Sequence, residues 1–286
     1  MLIFICLVFP PYNKKSIQSE WRLNMLITNI YDFIAKYGRP PHFHKDFPLI
    51  LFWSQKSGCT SLAYWFFYHI NLFKEVVKYS PFVHNYEFEI YKNSIPYFTD
   101  LANALQAKEK DTYKLVRNPF KRAVSSFISL IPAPYYESTE WKPIRRYLYG
   151  DESCNKKISF KLYLYYLKAH APNFEGVNPH FTPQYIQGEE EFVTNHIYLE
   201  NLSAHLSALE DKHCFKKSPL NGLINSWHHQ SNLANYKGNY ADGDITDPLF
   251  PRHPTYDSFY DEETIQLVKD IFKEDFTTYK YPSTLL

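Results

Sequence analysis

Apolar and polar positions along the chain switch between strand-like and helix-like spacing. Residues 49–53 form a short apolar run with Pro48 at its edge, the pattern of a buried central strand. Residues 60–73 are apolar nearly all round, as in a helix buried on several sides. A second strand ends at Val116. Asn118 then caps a helix with Pro119 at its first position, and Phe120, Ala123, Val124, Phe127 and Ile128 recur at helical spacing. Residues 132–157 are irregular and polar and read as a surface excursion. Residues 158–169 read as a helix, and 196–199 as a short strand before a helix starting near Leu202. Residues 232–254 hold Gly238, Gly243, Pro248, Pro251 and Pro254 and read as a mobile loop. Residues 262–276 read as an amphipathic helix with Ile265, Val268, Ile271 and Phe272 on one face. Strands alternating with helices predict a layered α/β fold with a mainly parallel sheet.

The first nine residues are apolar and stop at Pro10-Pro11. A spanning helix needs about 20 apolar residues, so this run is too short to cross a bilayer as written. Residues 1–45 read as an N-terminal extension ending in Gly38-Arg39-Pro40-Pro41, and 46–286 as a single domain. As written, a cytoplasmic protein is favoured; a longer N-terminus would turn the apolar run into the stub of a Golgi-type membrane anchor. At 286 residues the chain can bury a sizeable core, and a net charge of +1 argues against nucleic acid as a partner. Its four cysteines, Cys6, Cys59, Cys154 and Cys214, lack metal-ligand spacing and neither require nor exclude a disulfide.

The predicted chemistry gathers at two strand–turn–helix junctions. Ser54-Gln55-Lys56-Ser57-Gly58-Cys59-Thr60-Ser61 follows the first strand, and Arg117-Asn118-Pro119 follows the second, with Ser125 two turns into its helix. Such junctions direct free backbone N–H groups and the positive end of a helix dipole at one spot, which suits an anion. Either stretch alone reads equally as an ordinary helix start. Together they point to a ligand with two separated anionic groups. The first turn is not a Walker A loop, because Lys56 precedes the glycine instead of following it.

Taken in order, the motifs resemble those of the sulfotransferases, of the carbohydrate, family-2-like type. Gln55-Lys56-Ser57-Gly58-Cys59-Thr60-Ser61 is similar to the family's 5′-phosphosulfate loop, and the segment from Val116 to Phe127 to its 3′-phosphate segment. His180-Phe181-Thr182-Pro183-Gln184, His196-Ile197-Tyr198-Leu199-Glu200-Asn201-Leu202 and Asp275-Phe276-Thr277-Thr278-Tyr279-Lys280-Tyr281 resemble further signatures in the same order. Gln55 stands where the family usually has proline, and Phe181 where it usually has tryptophan.

The resemblance implies a three-layer α/β/α, P-loop NTPase-like fold. It also implies transfer of a sulfuryl group from 3′-phosphoadenosine 5′-phosphosulfate to a hydroxyl acceptor, most often a carbohydrate, with no metal needed. Lys56, Ser57, Gly58, Cys59, Thr60 and Ser61 would hold the 5′ end, Lys56 would assist the leaving group, and Arg117 and Ser125 would hold the 3′-phosphate. Arg122 would serve that phosphate or the fold. A general base is expected to be His84, with His180 second. His228-His229 is a metal pair only if further ligands join it. The alternative is a non-catalytic nucleotide- or anion-binding relative, or an ATP-binding kinase-like P-loop protein.

Overall fold

The computed structural model describes residues 30–34, 40–131, 139–224 and 235–285. The apolar run at the start of the chain, most of the predicted extension and His228-His229 lie outside the described residues.

In chain order the elements are β1 (Leu49–Trp53), α1 (Cys59–His69), α2 (Phe73–Tyr79), α3 (Val83–Tyr86), α4 (Ile95–Ala107) and β2 (Asp111–Val116). They continue with α5 (Pro119–Ile128), α6 (Trp141–Tyr149), α7 (Phe160–His170), β3 (Asn195–Tyr198), α8 (Leu202–Lys212), α9 (Leu220–Ile224), α10 (Glu262–Ile271) and α11 (Lys273–Thr278). The sheet is parallel with order β1-β2-β3; Leu49 pairs with Asp111 and Trp53 with Leu115, then Tyr113 with Asn195 and Val116 with Tyr198.

Every residue of β1 is buried, and successive side chains enter opposite layers, as the period of two requires. Leu49, Leu51 and Trp53 pack with Leu62, Phe66 and Leu206 from α1 and α8. Ile50 and Phe52 pack with Tyr97, Leu101 and Leu105 from α4. Helices therefore cover both faces, which is why β1 carries an unbroken apolar run. A third core joins α5, α7 and α10 through Phe127, Phe160, Tyr163 and Val268. On the outer edge of β1, His42 exchanges two backbone hydrogen bonds with Leu51, at 2.9 and 3.0 Å, and so shields that edge. Among the described residues no helix is long and apolar enough to cross a membrane.

Four stretches differ from the sequence expectation. The first helix stops at His69, because Asn71 takes a left-handed conformation (φ 61°) before α2 begins. Within the predicted surface excursion, α6 buries Trp141, Ile144 and Arg145 on one side. The described part of the 232–254 loop is docked on the domain: Ile245 is 2% exposed and donates its N–H to Ile158, and Ala241 accepts from Lys161 N–H. The last predicted helix breaks at Phe272, which separates α10 from α11. The Asp261–Thr264 capping box fixes its start.

Candidate active site

Because β1 and β2 are parallel neighbours, both polar turns lie at the same edge of the sheet, beyond the carboxyl ends of the strands. The first turn enters α1 through Gly58, whose φ of 93° is left-handed. A Cβ there would lie 2.5 Å from Leu199 Cδ1, so conformation and space both demand glycine. Lys56 is also left-handed, at φ 65°, which turns it out of the strand direction. Ser57 and Ser61 are fully buried, Thr60 nearly so, and Cys59 half-buried. Burial, then the charge of Arg117, lowers the Lys56 amine to about 8.

The second turn is fastened to the first. Arg117 Nη1 donates to the Lys56 carbonyl at 3.0 Å, and Nη2 donates to the Tyr256 hydroxyl at 3.1 Å. Asn118 caps α5 by accepting from Lys121 N–H at 3.2 Å. Its own N–H donates to Glu200 at 2.9 Å, and Tyr281 donates to the other oxygen of that carboxylate at 2.8 Å. Glu200 therefore holds a helix start, one of the structural roles its position allowed. Ser125 lies half-buried on α5.

Gln184 joins both turns, a role its motif did not reveal. Its Oε1 accepts from Ser57 Oγ at 2.7 Å and from Arg117 N–H at 2.8 Å, while Nε2 donates to the Arg117 carbonyl at 2.8 Å. Asp275 in turn accepts from the backbone N–H groups of Gln184 and Tyr185 at 2.9 and 2.7 Å. Burial raises the Asp275 carboxyl above its ordinary range, against the pull of Arg122. Arg122 is 1% exposed and donates to the carbonyls of Gln55 and Thr182 at 2.8 and 2.7 Å. These contacts assign Arg122 to the fold. The buried Lys114 completes the support from β2, donating to the Gln184 carbonyl and Glu189 at 2.5 Å and to the Tyr279 hydroxyl at 2.9 Å. Tyr279, safest as a plain core aromatic from sequence, is thus part of a polar network.

The two candidate bases occupy different flanks. His84 is 2% exposed, with Nε2 3.5 Å from Thr60 Oγ1 and Nδ1 2.5 Å from Glu87 Oε2. Burial works to lower its pKa, but hydrogen bonds and charges from Cys59 and Glu87 outweigh this and push it up to about 9. Burial likewise works to raise Glu87, while Lys92, His42 and His84 hold its carboxyl far below the usual range. His180 sits half-buried against α5: its carbonyl accepts from Ser126 Oγ at 2.7 Å, and its Nδ1 lies 2.8 Å from Asn178 Oδ1. The structure therefore brings Lys56, Cys59, Thr60 and His84 together at the first turn, and places His180 beside the helix that carries Ser125.

A parallel α/β sheet with two cationic helix starts fastened side by side defines a protein built around a divided anion site. The chain belongs to the sulfotransferase family, whose model matches residues 44–282. Sulfuryl transfer is the chemistry of that family in general terms. No curated protein and no solved structure matches the chain. Among the described residues no group of three or more His, Cys, Asp or Glu is placed to hold a metal ion.

Proposed function

We propose that the chain transfers the sulfuryl group of 3′-phosphoadenosine 5′-phosphosulfate to a hydroxyl acceptor, a carbohydrate being the class the motif resemblance favours. The observation that carries this reading is the joining of the two turns by Arg117 and Gln184. That joining holds two anion-suited helix starts at a fixed separation, as a ligand phosphorylated at both ends of one ribose needs.

In this reading the turn from Lys56 to Ser61 cradles the 5′-phosphosulfate, and Arg117 with Ser125 takes the 3′-phosphate. The transfer is an in-line displacement in which the acceptor oxygen bonds to sulfur as the bond from sulfur to the phosphate oxygen breaks. Charge builds on that departing oxygen, where the Lys56 ammonium and the N–H groups opening α1 stabilise it. His84 accepts the acceptor's proton at Nε2, with Glu87 fixing the ring through Nδ1; His180 is the second candidate.

Adenosine 3′,5′-bisphosphate should raise the melting temperature well above the shift produced by AMP, and Arg117→Ala should erase that difference. Equal stabilisation by the two nucleotides would sink the two-site reading. Lys56→Ala should lower kcat more than it weakens donor binding, because the leaving charge peaks in the transition state. An unchanged kcat with a raised donor Kd would make Lys56 a binding residue only.

A further inference from the structure

The Cys59 thiol has no separate task in the transfer, yet its surroundings are those that activate thiols. Cys59 is the first residue of the 11-residue helix α1 and is half-buried, so its sulfur lies at the positive end of the helix dipole. It hydrogen-bonds with His84, whose other ring nitrogen is held by Glu87. Nucleophile, imidazole and carboxylate thus stand in series, the arrangement in which a base draws the proton from a thiol. Thr60 Oγ1 flanks the imidazole, Lys56 and Arg117 lie across the turn, and Lys92 and His42 stand behind Glu87. The charges facing the turn are cationic. The single carboxylate in this set, Glu87, is fully buried and shared among Lys92, His42 and His84.

We propose that Cys59 is a modification site for small anionic disulfides, and that the resulting mixed disulfide closes the first turn to the donor. The second half rests on the donor reading above. In the exchange the Cys59 proton passes to His84, and the thiolate attacks one sulfur of the incoming disulfide. The original S–S bond breaks as the mixed one forms, and the departing thiolate takes up a proton. Cys59 is oxidised and the incoming disulfide is reduced. The elevated His84 pKa agrees with an imidazolium beside a thiolate.

The full chain is incubated at pH 7 with oxidised glutathione or with cystamine, a cationic disulfide, and its peptides are mapped by mass. Cys59 should form the mixed disulfide at least about tenfold faster than Cys154 and Cys214. It should prefer glutathione disulfide to cystamine and return to the thiol with dithiothreitol. His84→Asn and, independently, Glu87→Gln should slow Cys59 towards the rate of Cys214. Should Cys59 react no faster than Cys214 in the unmutated chain, or prefer cystamine, the assignment is overturned and the donor reading is untouched. Adenosine 3′,5′-bisphosphate should protect Cys59. Rapid reaction without protection would instead overturn the donor reading and leave the thiol assignment standing.

Discussion

Lys56 and His84 meet opposite requirements within one turn. A lysine that steadies a leaving oxygen must be charged, and burial with Arg117 beside it brings its pKa to about 8. A histidine that takes a proton must be neutral, and Cys59 and Glu87 hold His84 charged up to about 9. In the free protein the competent pair is therefore a minority form on either side of a narrow window. The kcat/KM profile should be bell-shaped, rising with pH towards about 8 as His84 loses its proton and falling above about 9 as Lys56 loses its own. His84→Asn should remove the rising limb. A profile flat from neutral pH to the alkaline end would mean that neither group titrates in the reaction.

Among the elements, the segment carrying Gln184 has the largest effect on the site although it has no regular secondary structure. Gln184→Ala would leave Ser57 Oγ and the Arg117 N–H and carbonyl without their partner, at a cost of about 1–3 kcal/mol for each buried group left unsatisfied. Adenosine 3′,5′-bisphosphate should then bind more weakly by calorimetry while circular dichroism stays unchanged; undiminished binding would show that the turns hold their spacing alone. The strands and the helices after them were legible in the sequence because β1 is uniformly apolar and α5 announces itself with Asn118-Pro119. Helix α6 was hidden because Lys142, Pro143, Arg145 and Arg146 interrupt the spacing of Trp141 and Ile144. The breaks at Asn71 and Phe272 depend on single backbone angles, which apolar periodicity does not encode. At the site, the motif residues were readable as chemical types. Their joining by Gln184, and the partnership of Glu87 with His84, arise only when distant segments meet.

For the molecule as a whole, stability and site geometry share one buried network. Lys114 occupies the middle of the sheet with no exposure, where a lysine is tolerated only because Glu189, Tyr279 and the Gln184 carbonyl surround its ammonium. Lys114→Met would leave Glu189 buried without its cation and should destabilise the fold by about 3–5 kcal/mol, seen as a lower urea midpoint. A midpoint unchanged within error would show that the network is dispensable to folding. Asp275 adds a consequence in time. Both turns belong to the first half of the chain, whereas the carboxylate that anchors Gln184 sits near its end. On the ribosome the loops that face the donor emerge early and stay unjoined until the last helix has been made. A nascent chain halted before Asp275 would display both turns yet lack the contact that keeps Gln184 between them.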